Sequence, residues 1–180
     1  MRTVILKNIT SEGPGTIADY LYKAGLPYDV LEPEEVPSLK SLDGYDALVV
    51  LGGPMAVYDA EGYPQVEASV RLIKEALERE LKVLGVCLGA QLMAHALGAR
   101  VYKGPGGKEE IGWMDIELTE DGLMDPVLKG ALAPPGAQRF SSGTGTHLTC
   151  PQERCFLREA GTSPSRHFRW ERALMRFSSI

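Results

Sequence analysis

The residues of this sequence able to do chemistry fall in two short runs. The first is Val83-Leu84-Gly85-Val86-Cys87-Leu88-Gly89-Ala90-Gln91, an apolar strand signal that passes directly into a helix signal with a cysteine at the junction. Glycines stand two positions before and two positions after Cys87, the spacing by which a sharp strand-to-helix elbow exposes a nucleophile without a backbone clash. A thiol held there faces a helix N-terminus, whose partial positive charge favours thiolate. Cys87 is therefore the candidate nucleophile for covalent catalysis. The alternative is a core cysteine ahead of a glycine-tolerant turn. The second run, Leu51-Gly52-Gly53-Pro54-Met55, follows another apolar strand signal. Paired glycines let backbone N–H groups approach a ligand, and proline stiffens the turn. A tetrahedral oxyanion formed at Cys87 needs two such donors, and the amides of Gly53 and Leu88 are the candidates. Gly-Gly-Pro alone describes an ordinary turn; next to a cysteine elbow it becomes specific.

Both runs need a scaffold that brings the ends of two strands together. Residues 1–130 supply one by alternating strand and helix signals, the pattern of an α/β domain with a doubly wound, mostly parallel sheet. Strands are expected at Thr3–Leu6, Tyr28–Leu31, Ala47–Leu51 and Val83–Val86, with further strands at Gly98–Tyr102 and Ile111–Leu118. The run Ala47-Leu48-Val49-Val50-Leu51 is apolar throughout, as a strand covered on both faces requires. Helices are expected from Thr16 to Ala24, closed by Gly25, from Gln65 to Glu80, and from the elbow to Leu97. In such a sheet the ligand site lies at the carboxyl ends of the strands, where both runs begin. His95, four residues beyond Gln91, is expected to face the sheet as a core histidine.

At 180 residues and a formal charge of −5, the chain is read as one domain with a substantial core. No basic-flanked apolar leader and no apolar run of roughly 18 residues is present, so a membrane location is not expected. Cys87, Cys150 and Cys155 are too few for a disulfide framework, which fits a reducing cytoplasm. No Cys/His spacing suggests a metal site, and no cofactor is expected. Glu12-Gly13-Pro14-Gly15 lacks the full dinucleotide-binding spacing.

The complete set of runs resembles the class I glutamine amidotransferases, particularly stand-alone domains similar to the amidotransferase part of GMP synthase. The matching residues are Gly52-Gly53-Pro54-Met55-Ala56-Val57-Tyr58, Gly85-Val86-Cys87-Leu88-Gly89-Ala90-Gln91 and Glu110-Ile111-Gly112-Trp113. The resemblance implies a flavodoxin-like fold and hydrolysis of the glutamine side-chain amide through a cysteinyl thioester. The released ammonia would pass to an acceptor that the sequence does not name: a partner chain such as a synthetase subunit, a small substrate, or water. It also implies Cys87 as nucleophile, Gly53 and Leu88 as oxyanion donors, and Gly52, Pro54, Met55 and Gln91 as substrate-binding residues. Trp113 is expected to pack a strand. A related group of cysteine hydrolases and chaperone-like proteins shares the elbow but has an acidic residue near the first strand instead of a Gly-Gly-Pro-Met loop, so the loop at Gly52–Met55 speaks against it. A glutamine-binding or subunit-docking domain without chemistry is the non-enzymatic alternative.

The resemblance breaks in the last third of the chain. The family completes its triad with histidine and glutamate in a late Gln-Phe-His-x-Glu segment, and carries Trp-His-Gly-Asp after a strand near position 140. His147 and His167 lie in neither context, and the sequence stops at Ile180. Composition changes at the same place. Residues 1–130 hold 12 Lys and Arg against 21 Asp and Glu, whereas residues 131–180 hold 7 Arg, no Lys and 3 Glu. An Arg-rich tail could serve nucleic acid, but a shifted reading frame explains it better. Let each new codon take the last base of one codon and the first two of the next. Residues 141–150, with the last base of the Phe140 codon, can then read Phe-Gln-Trp-His-Gly-Asp-Thr-Phe-Asp-Leu. Residues 173–180 can read Ser-Ala-Tyr-Ala-Leu-Gln-Phe-His. Both missing segments arise in one frame and in order. The expectation is therefore an out-of-frame tail beginning between Gly130 and Phe140, binding no nucleic acid, whose residues 141–180 form few of the family's closing strands and pack poorly.

Overall fold

The computed structural model describes residues 1–103, 110–118, 138–144, 146–148, 157–159, 164–165, 169–170 and 173–176, with side chains for 1–102 other than 59 and 60. The central sheet has six strands. β1 (Thr3–Leu6), β2 (Tyr28–Leu31), β3 (Ala47–Val50) and β4 (Lys82–Val86) are the four expected ones, each within a residue of its sequence-derived bounds. Their spatial order is β2-β1-β3-β4, all parallel, with Thr3 opposite Tyr28 and Ala47, and Val50 opposite Gly85.

The side-chain alternation of each strand sorts the apolar residues into two cores. Val4, Leu6, Leu48 and Val50 point to one face; Ile5, Val49 and Leu51 point to the other. α2 (Pro64–Glu78) and α3 (Leu88–Ala96) cover the first face with Val66, Leu72, Ile73, Ala90, Leu92 and Met93. α1 (Gly15–Lys23) covers the second with Leu21 and Ile17. Both faces being roofed by helices is why β3 is apolar at every position and β1 at every position but Thr3. Among the described residues no helix is long and apolar enough to cross a membrane.

Beyond α3 the strands are β5 (Val101–Lys103), β6 (Glu110–Leu118), β7 (Gln138–Thr144), β8 (Thr146–Leu148), β9 (Leu157–Glu159), β10 (Pro164–Ser165), β11 (Arg169–Trp170) and β12 (Ala173–Arg176). β10-β9-β6-β7 form a separate antiparallel sheet, and β5 pairs with β8. β12 adds to the central sheet beside β4, in parallel, with Ala173 opposite Val83 and Arg176 opposite Val86; β11 closes that edge in the antiparallel sense. The expectation that the tail forms few strands is thus corrected. Strand pairing engages backbone N–H and C=O groups that every residue except proline carries in full, so it is open to a sequence of unusual composition. Trp113 lies on β6, opposite Ser141.

Candidate active site

The last residue of β4 and the first of α3 are separated by Cys87 alone. Its backbone takes φ 51° and ψ −110°, a left-handed conformation costing a non-glycine residue about 1–3 kcal/mol and concentrated at functional sites. The turn is possible because its neighbours lack side chains. A Cβ on Gly85 would lie 2.6 Å from the Gly89 carbonyl carbon and 2.7 Å from the Ala90 nitrogen, and a Cβ on Gly89 would overlap the Val50 carbonyl oxygen. The elbow therefore packs directly on β3, the strand that carries the second run.

That run lies against the cysteine. A Cβ on Gly52 would sit 3.5 Å from the Cβ of Cys87, and one on Gly53 would sit 3.3 Å from Leu88 Cδ2 and 2.8 Å from Met55 Sδ. The loop is held from beneath by Asn8, a buried residue just past β1 whose Nδ2 donates to the Leu51 carbonyl oxygen at 2.8 Å. Gln65 Nε2 donates in turn to the Asn8 carbonyl oxygen at 3.2 Å. Sequence reasoning missed Asn8; the only available signal was a polar residue directly after an apolar strand.

Cys87, Gly52, Gly53 and Pro54 line a cleft of about 590 Å³ whose opposite wall is residues 11–17. It opens between the loops that follow β1 and β3, where the chain's winding reverses in a 2-1-3-4 sheet and ligands characteristically bind. Met55, Leu88 and Gln91 are not among the residues that line it. Leu88 and Gln91 are buried on α3, and Met55 packs against the core. His95 is exposed, correcting the expectation of a core histidine: Leu88–Ala94 are all buried and the helix reaches solvent at its last turn.

The thiol's electrostatics also differ from expectation. Burial pushes the Cys87 thiol above its ordinary value. The Leu88 N–H, donating to the sulfur, pulls the other way as the helix N-terminus should, and the negative charge of Glu12 adds to the rise. The net direction is toward protonated thiol, because desolvation penalises the charged form more than one amide stabilises it. Glu12, in the loop after β1, is the second residue that sequence reasoning missed. Its Oε2 lies 2.7 Å from the position a Cβ on Gly52 would take. Among the described residues no group of His, Cys, Asp and Glu is arranged to hold a metal ion.

Comparison with known proteins agrees with this geometry. Residues 13–131 match the family model described as glutamine amidotransferase class-I. The glutamine amidotransferase-like protein YfeJ of Salmonella typhimurium is 40% identical over 89 residues, which cover 48% of this chain and 36% of YfeJ. The glutamine-hydrolyzing GMP synthase of Corynebacterium glutamicum is 34% identical over 117 residues, covering 65% of this chain and 21% of that protein. The chain thus spans well under half the length of either relative. The crystal structure of a glutamine amidotransferase from Thermotoga maritima superposes with a TM-score of 0.82 at 28% identity, covering 97% of this chain and 74% of that one. With its cysteine elbow, its Gly-Gly-Pro loop and its doubly wound sheet, the chain belongs to the class-I glutamine amidotransferases.

Proposed function

We propose that this domain binds glutamine and that Cys87 attacks the side-chain carboxamide carbon to give a cysteinyl thioester and ammonia. In this reading the N–H groups of Gly53 and Leu88 stabilise the oxyanion, while Gly52, Pro54, Met55 and Gln91 shape the substrate pocket. The acceptor of the ammonia is a synthetase partner of the GMP synthase type. The observation that carries the reading is the left-handed backbone of Cys87, which lines one cleft with Gly52 and Gly53. Incubation with a glutamine-analogue chloroketone tests it. Selective labelling of Cys87 over Cys150 and Cys155, protected by glutamine, is expected; labelling no better than that by a simple thiol reagent would sink it.

Turnover needs a base to take the thiol proton and return it to the departing ammonia, and the triad segments are not in the 180-residue sequence. We therefore infer negligible glutaminase activity for this sequence and an out-of-frame origin for its tail. Three observations support that origin: the family match ends at residue 131, the Lys-free, Arg-rich composition starts there, and β12 ends level with β4 at the edge that carries Cys87. In the shifted frame, Gln-Phe-His follows one residue after the β12 positions, which would deliver a histidine to that edge. Sequencing codons 125–145 and restoring the frame is the test. A gain of about a thousandfold or more in glutamine hydrolysis is expected, since triad members act as a unit. Full activity of the 180-residue protein would refute the inference.

One observation favours a second reading, a related cysteine hydrolase: an acidic residue, Glu12, follows the first strand and acts on the thiol. Cys87 labelling by the chloroketone that glutamine does not prevent would select it.

A further inference from the structure

We propose that Glu12 forms a subsite for a primary ammonium group, held beside the Cys87 thiol in the cleft between the loops after β1 and β3. The cleft is lined by glycine, proline, aliphatic and hydroxyl residues, and Glu12 is the one charged side chain among its described lining residues. Among the described residues no cation forms a salt bridge with it. Lys7, the cation next to this loop, is buried and already engaged: its Nζ donates to Glu32 Oε1 at 2.7 Å and to the Thr10 carbonyl oxygen at 2.9 Å. The Lys7–Glu32 pair therefore anchors the loop that presents Glu12 and spends its own charge in doing so.

Position makes the carboxylate more than a surface charge. Its Oε2 and the Cys87 Cβ both border the space a Cβ on Gly52 would fill, at 2.7 and 3.5 Å from that position, and its field reaches the sulfur. Gly52 permits this approach, since a Cβ there would collide with the Glu12 carboxylate. A half-buried anion facing a nucleophile across a cleft calls for a cation of matching size. A primary ammonium, with three donors, can satisfy the carboxylate oxygens while its body stays in the cleft. Occupation would also cancel the repulsion Glu12 exerts on a thiolate, so that ligand binding itself readies the nucleophile. The ammonium can belong to an amino-acid substrate or to a separate amine, and the subsite does not require glutamine to be the ligand.

The test uses the intact chain and reads carbamidomethylation of Cys87 by iodoacetamide, resolved by site with mass spectrometry. Methylammonium chloride should accelerate Cys87 modification at pH 7.5 saturably, by about threefold to tenfold, because pairing with Glu12 removes its repulsion of the thiolate. Tetramethylammonium chloride at equal ionic strength, with no N–H to donate, should not. Glu12→Gln should be fast without the amine and unresponsive to it; Glu12→Asp should retain part of the response. A second arm compares a chloroketone carrying an α-ammonium with its desamino counterpart. Preference for the former, lost in Glu12→Gln, assigns the ammonium to the substrate; a methylammonium response without that preference assigns a separate amine. Equal effects of the two ammonium salts on the unmodified protein, which needs no variant to fold, would overturn the proposal. A methylammonium response retained in Glu12→Gln would do the same.

Discussion

Cys87 is pulled in two directions at once. Burial raises its thiol, the Leu88 N–H lowers it and Glu12 raises it again, so the resting site favours the protonated form. The consequence for pH follows in sign. Because the group is neutral when protonated, a raised value means less thiolate at any given pH, so Cys87 should alkylate more slowly at pH 7 than an exposed cysteine. Its rate should climb further above the ordinary thiol range before levelling off, and Glu12→Gln should move that profile to lower pH; a stopped-flow pH series reads both. The elbow itself is sterically demanding. Gly89→Ala would drive a methyl group into the Val50 carbonyl, so a loss of about 2–3 kcal/mol in denaturant unfolding is expected, of the size seen for overpacked cores. Loss of selective Cys87 labelling should accompany it.

At the scale of elements, the two loops that meet at the cleft are each tethered by one buried polar residue. Asn8 holds the loop after β3 through the Leu51 carbonyl, and Lys7 holds the loop after β1 through the Thr10 carbonyl. Asn8→Ala leaves that carbonyl without its side-chain donor. A loss of about 1–2 kcal/mol is expected, with slower labelling by the glutamine analogue because the Gly52-Gly53 turn loses its support. α2 ends differently, with Glu80 in the left-handed region at φ 58° just past Arg79. The helices were legible because their apolar spacing matches the faces they bury; Val66, Ile73 and Leu77 of α2 all meet the core. The last turn of α3 was not, because helical periodicity does not reveal where the sheet beneath a helix stops, and His95 lies past that point.

For the whole molecule, β12 ties the tail to the central sheet, as β8 ties it to β5. It covers the edge of β4 that would otherwise be open, pairing Leu174 with Leu84 and Met175 with Gly85. Leu174→Pro removes a backbone donor in the middle of this short strand. Faster amide exchange in β4 than in β1 and β3 is expected, with a fall of a few degrees in Tm; unchanged exchange in β4 would mean that the pairing contributes nothing.

The amino-acid sequence on its own determined the four strands that carry the site, the three helices that roof them, and the elbow and glycine loop. Each of these is written in local terms: apolar runs for strands buried on both faces, apolar spacing for helices, and glycines where backbones must touch. It also disclosed the break near residue 131, because composition is a property of the chain and not of its fold. Only the tertiary structure decided which residues surround the thiol. Glu12 and Cys87 are distant in sequence and meet because β1 and β4 flank β3 in one parallel sheet, so loops from separate strands share one edge. The direction of the thiol's shift was decided there too, since desolvation depends on everything packed around the sulfur, whereas the helix N-terminus that favours thiolate can be read from a few neighbouring residues.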